Sequence, residues 1–473
     1  MKKLMLTLLS IVFLFTVVLT GCSSSSGAVE GPGEIIVASD YPDAYQQYAD
    51  YYEISHQEKK VNMVAYQDPN SENQEDRYVA VKKLLDNENA PDVLFLEPEI
   101  MERLAADGYL QPIDSLAKNK KYNLDEYVPG VIDYLKKKGN GTLYGIPLSF
   151  SSTALFYNKD MFDAAGIPYP TDNMTWDEVY DLARNFSEGE GADRTYGLSL
   201  GYGYENYLYL QAAQRGLMLI DDELKNVSLN TPEWREIWAK GQELIADGII
   251  APTFNWEEAM ESGVEPGPFA DNPFMGGKAA MALLDSFEIN FIDERFQMED
   301  ENVQPFNWDI VTVPVQADRP GYGGIIFVNS VIAINKNSSN LDLAWDFVSY
   351  VSGDELAKVL TKSNYDTSAR IKYVKKTDKE INYEALYKLE PVDTILPIPM
   401  DFLYNYEGAW EVMSPLSDNY NQVMDGKIDV DKGLETAQKQ MQEGLERALE
   451  QKEKQTNEGE TPEDREVPAE TTP

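Results

Sequence analysis

The chain has few of the side chains that most often build catalytic and metal centres. Its 473 residues include a single cysteine, Cys22, and a single histidine, His56. One cysteine excludes an intramolecular disulfide, and one histidine excludes a metal site with several histidine ligands. His56 lies in a polar run, residues 55–60, where we expect a solvent-exposed side chain rather than a catalytic base. The sequence therefore predicts no metal, no cofactor and no enzyme.

Positive charge is also scarce. The chain has 40 Lys and Arg against 81 Asp and Glu, a formal net charge of −41. Nucleic acids and anionic membrane surfaces attract cationic protein surfaces, so both are excluded as partners of the folded part. The hydrophobic content of 43% is ordinary for a globular protein, and the length suffices for two or three domains.

Motifs of nucleotide and calcium sites are absent from the sequence. Gly277-Lys278-Ala279 lacks the hydroxyl and the upstream glycine of a P-loop, and Gly201-x-Gly203 lacks the third glycine of a dinucleotide site. No segment has the spacing of a calcium-binding loop. A carboxylate pair for glycoside hydrolysis stays an alternative, because the many acidic residues do not single out two of them.

The N-terminus has the pattern of a bacterial lipoprotein signal. Lys2 and Lys3 precede an apolar run, residues 4–19, that is shorter than the ~20 residues of a membrane span. The run closes on Leu-Thr-Gly-Cys22, which looks like a lipobox. We predict a signal peptide at 1–21, a Cys22 modified by acyl chains such as palmitate, and a flexible linker at 22–33. The protein would then be anchored at the extracellular face of the cell membrane; an uncleaved anchor helix is the alternative.

Strand and helix patterns alternate from Glu34 onward. Apolar runs at 35–37, 61–66 and 93–96 predict strands, and 45–52, 78–85 and 97–107 predict helices. This alternation predicts an α/β fold with a parallel sheet, in which ligands bind beyond the carboxyl ends of the strands. That places Asp40, Tyr41, Glu97 and Glu99 at a candidate rim.

The stretch 143–160 has the features of a crossing between two lobes. Gly145 and Pro147 predict a directed bend, and 154–157 predicts the buried strand that follows it. Phe150 and the hydroxyl residues around it would form part of a ligand cleft. Further on we predict a capping box at Thr175 and Glu178, a helix capped by Asn340, and strands at 310–315 and 325–334. Tryptophans at helical spacing are predicted to fill the core: Trp176, Trp234, Trp238 and Trp345.

Aromatic residues are plentiful, with 29 Tyr, 17 Phe and 7 Trp, and several stand beside strand ends or glycines. Sugars present flat C–H faces and rings of hydroxyls, so their sites combine aromatic platforms with a few paired polar groups. The residues that suit such a site are Tyr41, Phe150, Tyr202, Tyr204, Phe287, Tyr322 and Trp410 with the acids Asp40, Glu97, Glu205 and Asp285.

Ordered segments of the chain carry a family resemblance. They are residues 90–95 with 104–110, 143–147 with 155–162, 165–168 with 175–178, 277–281, and 323–324 with 332–336 and 344–347. In this order they resemble the family 1 extracellular solute-binding proteins of bacterial carbohydrate ABC importers, the family of the maltose-binding protein. The resemblance spans about residues 34–447.

The resemblance implies a periplasmic-binding-protein-like fold of type II, with two α/β lobes, three hinge crossings and a ligand cleft between the lobes. The crossings would fall near Pro147, near Val313–Val315 and after the Trp345 helix. Lobe 1 would comprise 34–147 plus 315–358, and lobe 2 would comprise 148–314 plus 359–447. Residues 448–473 are acidic and poor in apolar residues and predict a disordered tail.

The resemblance further implies a monomeric binding protein that captures a sugar or oligosaccharide and delivers it to the permease subunits of an ABC transporter. It adds Glu99, Ser151 and Ser152 to the expected ligand-binding positions. Ser151 and Ser152 stand where some maltose binders carry a carboxylate, which argues against maltose itself. The alternatives are the same fold binding a peptide, polyamine or iron complex, a surface glycoside hydrolase, and a structural lipoprotein without a small ligand.

Overall fold

A computed structural model of the chain describes residues 31–66, 77–190, 194–201, 203–254, 260, 269–296, 304–361, 367–375 and 379–459. The predicted signal peptide, Cys22, most of the linker, Tyr202 and residues 460–473 lie outside the described residues. Within these ranges, none of the helices combines the length and apolar composition that crossing a bilayer requires. The same ranges contain no group of His, Cys, Asp and Glu side chains that could hold a metal ion.

The strands are β1 Gly33–Ser39, β2 Lys59–Ala65, β3 Val93–Leu96, β4 Gly145–Pro147, β5 Ser149–Asn158, β6 Tyr196–Ser199, β7 Ala279–Asp285, β8 Trp308–Thr312, β9 Tyr322–Gly324, β10 Ile326–Phe327, β11 Val331–Ile334, β12 Thr367–Ser368 and β13 Glu390–Pro391. The helices are α1 Pro42–Ser55, α2 Arg77–Leu85, α3 Pro98–Ala106, α4 Ile113–Lys120, α5 Pro129–Lys138, α6 Lys159–Ala165, α7 Trp176–Ala183, α8 Tyr204–Arg215, α9 Pro232–Ala246, α10 Glu288–Arg295, α11 Leu341–Val351, α12 Asp354–Leu360, α13 Met400–Asn405, α14 Ala409–Met424 and α15 Val430–Gly459. Short 3-10 turns lie at Leu124–Glu126, Arg184–Phe186, Ile371–Tyr373 and Tyr383–Leu386.

The first sheet has the order β2-β1-β3-β11-β4. Its first three strands are parallel, as the alternation of strands and helices predicts, and β11 runs antiparallel to both β3 and β4. All four residues of β3 are buried, because helices cover both faces of the sheet. Trp345 of α11 packs in this core, as predicted.

The second sheet has the order β10-β5-β7-β6, with β8 and β12 also paired to β5. Strand β6 is parallel to β7, whereas β5 is antiparallel to β7 and β8. One face packs against α7, α8, α9, α14 and α15, where Trp176, Trp234 and Trp238 are buried as predicted. The capping box that starts α7 is also confirmed, with hydrogen bonds in both directions between Thr175 and Glu178.

The chain passes between the sheets at three places. The first is Leu148, between β4 and β5, as expected near Pro147. The prediction of a second crossing near Val313–Val315 is wrong, because β8 pairs with β5 and both valines pack in the second core. The chain instead crosses at 328–330, between β10 and β11. The predicted strand 325–334 is therefore two strands in different sheets.

The third crossing follows the Trp345 helix, as expected, and lies between α12 and β12. Residues 315–327 therefore go with the second sheet and not with lobe 1. The amino half of β5, Ser149–Ser152, pairs with β10 on one side and with β12 on the other. We call this three-stranded unit the hinge ribbon, because each of its strands belongs to one crossing.

Three local predictions need correction. The tail predicted at 448–473 is helical at least to Gly459, because α15 continues through it with Ala448 buried and good helix formers beyond. His56 is half-buried, since its ring stacks on Tyr52 with the ring centroids 4.3 Å apart. Asn340 precedes α11 without a capping hydrogen bond.

Arg370 fastens the third crossing to the first lobe. Its Nε donates to the Ser352 carbonyl at 2.7 Å, its Nη2 donates to the Tyr122 hydroxyl at 3.0 Å, and its Nη1 pairs with Glu126. The guanidinium also lies over the Tyr127 ring, 4.8 Å from its centroid. A buried guanidinium with this many partners fixes the position of the strand that carries it.

We expect Arg370→Ala to lower the free energy of unfolding by about 3 kcal/mol, because it removes a buried guanidinium together with its hydrogen bonds to Ser352 and Tyr122 and its packing on the Tyr127 ring. Urea denaturation measures this change. Arg370→Lys keeps the charge but not the forked set of N–H donors, so the stability of this variant should lie between those of wild type and Arg370→Ala. The control is Arg184→Ala, which removes a partly exposed arginine paired with Asp181 and should cost less than ~1 kcal/mol. Equal stability of the Arg370 and Arg184 variants would show that the guanidinium does not hold the crossing.

Candidate ligand-binding site

The sheet topology brings strand ends from both lobes to the crossings. In the first sheet, Val331 at the start of β11 pairs with Leu96 at the end of β3 and with Pro147 at the end of β4. The carboxyl ends of β1 and β3 therefore lie on the edge from which the chain leaves for the second sheet. We call this the first edge; it carries Asp40, Tyr41 and Glu97, as predicted.

The second sheet meets the crossings with an edge of the same kind. Thr153 of β5 pairs with Asp285 at the carboxyl end of β7, and Ser151 pairs with Phe327. Because β6 is parallel to β7, its carboxyl end lies on this edge too. We call it the second edge. The region where the two edges meet the hinge ribbon is the candidate site.

A charged cluster occupies the first edge. Arg77 at the start of α2 has its Nη1 3.8 Å from Asp40 Oδ2 and pairs with Glu97. Asp40 also accepts a hydrogen bond from the Tyr41 backbone N–H at 2.9 Å. Burial raises the pKa of Glu97 above its ordinary value, Arg77 opposes that rise, and Asp40 adds to it. Two carboxylates thus share one guanidinium.

Hydroxyl groups surround this cluster. The Tyr45 ring stacks on Phe95 with centroids 4.3 Å apart, and its hydroxyl bonds to Ser330 in the second crossing. The hydroxyls of Ser39 and Tyr66 are buried and have no hydrogen-bond partner in the structure as described. Burial raises the pKa of Tyr66 well above its ordinary value, and the charge of Asp40 raises it further. An unpaired buried hydroxyl costs about 1–3 kcal/mol, which a ligand or water could recover.

Glu99, another predicted position, is tied to the neighbouring helix α5. Lys138 Nζ lies 3.3 Å from Glu99 and 3.0 Å from Glu102. Burial lowers the pKa of Lys138, but Tyr134 and the two carboxylates together outweigh that effect and raise it. This cation is therefore also shared by two carboxylates.

On the second edge, Asp285 and Ser286 close the end of β7 onto β5. The Ser286 N–H donates to the Ser152 carbonyl at 2.7 Å, and the Ser152 N–H donates to Ser286 Oγ at 3.1 Å. Asp285 accepts from the Phe287 N–H at 3.3 Å, which turns the chain into α10. The Ser152 hydroxyl donates to the Leu386 carbonyl at 2.6 Å, and the side chain is buried.

The loop after β6 packs on the same edge. Gly201 has φ 71°, and a Cβ at this position would lie 2.9 Å from the Leu283 carbonyl, so both the conformation and the space require glycine. The loop leads into α8, whose Glu205 accepts from the Asn421 side chain at 3.1 Å. Tyr204 and Tyr207 belong to this helix and not to a loop.

The predicted aromatic platforms divide into exposed and buried rings. Tyr41 is 51% exposed and Phe287 is half-buried at the second edge. Phe150, Tyr204 and Tyr322 are buried, so the prediction that they offer open ring faces is wrong for this structure. Tyr322 lies between Ala213 and Val392, with the Arg319 guanidinium 3.5 Å from its ring centroid. Position beside a strand end or glycine did not distinguish these core rings from surface rings.

Trp410 is exposed in the first turn of α14. The contact of this helix with the second edge is made by Asn421, eleven residues further on, which is about 16 Å along a helix. The described contacts therefore do not bring Trp410 together with the edge residues.

Sequence reasoning missed Arg77, Tyr45, Ser330 and Phe327. Phe327 pairs with Ser151 in the hinge ribbon and is 47% exposed, although it lies in an apolar run typical of a buried strand. The polar pair Asn329-Ser330 that interrupts this run was the available signal for a crossing. Arg77 and Tyr45 carried no comparable signal, because each becomes a site residue only when its helix packs at the first edge.

Comparisons with known proteins agree with this architecture. The family model described as bacterial extracellular solute-binding protein matches residues 38–358. The sn-glycerol-3-phosphate-binding periplasmic protein UgpB of Agrobacterium fabrum is 34% identical over 91 residues, which cover 19% of this chain and 21% of that protein. The chain spans between about a fifth and about half the length of the curated relatives it matches.

Solved structures match over most of the chain. A family 1 extracellular solute-binding protein from Alicyclobacillus acidocaldarius has a TM-score of 0.62 at 16% identity, covering 88% of this chain and 99% of that one. A sugar transporter protein from Rhizobium etli, in an open conformation, has a TM-score of 0.58 at 21% identity, covering 87% of this chain and 99% of that one. At these identities the likeness shows the shared two-lobe α/β fold.

The pKa of Glu97 predicts how stability depends on pH at the first edge. A carboxyl group whose pKa is raised in the folded protein binds more protons there than in the unfolded chain. The free energy of unfolding therefore falls as pH rises from the ordinary glutamate range towards the raised value. We expect wild type to lose stability relative to Glu97→Gln over this interval, measured by urea denaturation at a series of pH values.

Glu53 provides the control with the opposite sign. The Val61 N–H and Lys60 hold the pKa of Glu53 below its ordinary value. Wild type should therefore gain stability relative to Glu53→Gln as pH rises through the ordinary glutamate range. If the Glu97 comparison shows the same sign as the Glu53 comparison, the description of Glu97 as a carboxylate in excess over its cation is incorrect.

Proposed function

Because the chain belongs to the bacterial extracellular solute-binding protein family, we propose that it captures a sugar or oligosaccharide in the cleft between its two sheets. It then delivers the sugar to the membrane subunits of an ABC importer. The match at 38–358 includes the first two crossings and strands of both sheets, so the family assignment concerns the part of the chain that forms the cleft. The protein is a binding protein and not an enzyme.

The observation that supports a sugar most strongly is the composition of the first edge and the hinge ribbon. Asp40, Arg77 and Glu97 present planar donors and acceptors in pairs, which suit the vicinal hydroxyls of a sugar ring. Tyr41 follows Asp40 directly and Phe327 lies in the hinge ribbon; both rings are exposed and can cover the C–H face of a bound sugar. The solved protein from Rhizobium etli with this fold is named as a sugar transporter.

Capture would involve closure of the two lobes about the hinge ribbon. A ligand drives closure only if it binds the closed form more tightly than the open form. Side chains from both edges meet that condition when they contact the ligand together, because one lobe alone gives only half of the contacts. Asp40 and Glu97 on the first edge and Asp285 and Glu205 on the second would contribute in this way.

The lipid anchor is also part of the proposal. Its support is the sequence pattern that ends at Cys22. Acyl chains on Cys22 would hold a monomeric protein at the extracellular face of the cell membrane, beside its permease. Mass spectrometry of the protein extracted from membranes would detect diacylated Cys22.

Thermal unfolding against a panel of neutral mono- and oligosaccharides, ferric iron, polyamines and peptides tests the proposed function. A solute at 100 times its dissociation constant adds about 2.7 kcal/mol to the free energy of unfolding, which raises the midpoint measurably. We expect one saccharide class to raise it. A shift with iron, a polyamine or a peptide alone would overturn the sugar assignment.

Substitution of exposed aromatic residues tests whether the saccharide that raises the unfolding midpoint binds at the proposed site. We expect Tyr41→Ala and Phe327→Ala each to weaken binding of the active saccharide about tenfold, because each removes a ring worth roughly 1 kcal/mol or somewhat more. The control is Ile54→Ala, which truncates an exposed apolar residue at the far end of α1 and should leave the affinity unchanged. Isothermal titration gives the dissociation constants, and equal effects of all three changes would place the ligand elsewhere.

A further inference from the structure

We propose that the cleft excludes anionic solutes, so that the captured saccharide carries neither phosphate nor carboxylate. This inference rests on the proposed function, since it concerns the chemical class of ligand for the same site. It separates this chain from its Agrobacterium relative, whose name gives sn-glycerol-3-phosphate, an anion, as its ligand.

Among the described residues, the cations at the first edge and on the adjoining helix α5 are paired with carboxylates. Arg77 is shared by Asp40 and Glu97, and Lys138 is shared by Glu99 and Glu102. Four carboxylates therefore face two cations, and this part of the edge has a net charge of −2. A phosphate or carboxylate of a ligand would have to displace one carboxylate from a cation while remaining close to the others.

The helix starts at both edges are also occupied by acidic residues. In this fold helices begin directly beyond strand ends, and their free N–H groups form a common binding site for anions. Helix α2, which follows β2, has no acidic residue in its first turn, but its Arg77 is already paired with Asp40 and Glu97. Four other described helices that follow strands of the two edges each have an acidic residue in the first turn. They are α1 with Asp43, α3 with Glu99, α8 with Glu205 and α10 with Glu288.

At two of these helix starts, proline further reduces the number of backbone N–H groups that could bind an anion. Pro42 begins α1 and Pro98 begins α3, and a proline has no N–H to donate. The carboxylates in the first turns interact favourably with the positive ends of the helix dipoles, which lowers the attraction left for a bound anion. On both sides of the cleft, the positive helix ends that would attract a phosphate are therefore already balanced by carboxylates of the protein.

The remaining polar groups suit an uncharged ligand. The hydroxyls of Ser39 and Tyr66 are buried without a partner among the described side chains, and Tyr45 has a third hydroxyl, which is bonded to Ser330. Hydroxyls and carboxylates accept and donate hydrogen bonds to sugar hydroxyls without requiring a ligand charge. The second edge adds Asp285 and Glu205, which increase the negative charge and supply further acceptors.

Matched ligand pairs test the exclusion. The neutral saccharide that raises the unfolding midpoint is compared by isothermal titration with its own aldonic acid and its own phosphate ester, and sn-glycerol-3-phosphate is included. One uncompensated carboxylate ~8 Å away, at an effective dielectric constant of ~20, disfavours a monoanion by about 30-fold. We expect the aldonic acid to bind at least this much more weakly than the neutral sugar and sn-glycerol-3-phosphate to show no binding.

Charge variants then show which groups cause the exclusion. Glu97→Gln and Asp40→Asn should each raise the affinity for the aldonic acid relative to the neutral sugar by about 30-fold, since each removes one negative charge from the edge. The control is Asp181→Asn, which removes an exposed carboxylate on α7, away from both edges, and should leave this ratio unchanged. Because the ratio is compared, a general loss of affinity in a variant does not obscure the result.

The outcomes separate the two proposals. If no saccharide binds, the proposed function fails. If a neutral saccharide binds and its anionic analogues bind equally well, the proposed function stands and the exclusion is overturned. If all three charge variants change the ratio alike, net charge rather than Asp40 and Glu97 sets the selectivity, and the assignment to the first edge is overturned.

Discussion

The backbone hydrogen bonds of the hinge ribbon are the constraint on which the rest of the structure depends. Ser149–Ser152 of β5 pairs with Ile326–Phe327 on one side and with Thr367–Ser368 on the other, so the three crossings form one antiparallel unit. The two sheets cannot move independently at any single crossing. Both edges therefore lie next to the hinge ribbon, which is why polar residues 188 positions apart in sequence, Glu97 and Asp285, can belong to one cleft.

Local signals predicted much of the fold correctly, because they act over a few residues. The Thr175–Glu178 capping box and the parallel strands β1–β3 follow from hydrogen bonding and periodicity near each position. The position of the second crossing did not follow, because Ile325–Ile334 is apolar on both sides of it and composition does not record which sheet a strand joins. Helix α15 extends past residue 448, where a disordered tail was predicted, because a row of small and apolar residues such as Ala448 is enough to bury one helix face.

The site was predictable where it depends on strand ends and was not where it depends on packing. Asp40, Glu97 and Asp285 follow buried strands, and the rule that ligands bind beyond carboxyl ends places them without further information. Whether a ring such as Phe150 or Phe327 is open or buried depends on what the other lobe places against it. Arg77 belongs to the site only because two carboxylates converge on it, and no spacing in the sequence encodes that convergence.

The described part of the chain begins at the first sheet, so an anchor at the N-terminus would connect to the first lobe. Gly33 is hydrogen-bonded to the Glu58 carbonyl, and Lys59 binds the Gly31 carbonyl, so the chain is fixed to β1 and β2 within three residues of Gly31. The carboxyl-terminal helix α15 packs entirely in the other lobe. If the protein is anchored through residues that precede Gly31, as proposed, the anchor connects to the first lobe, and closure would move the second lobe, with α15, relative to the lobe that carries the anchor.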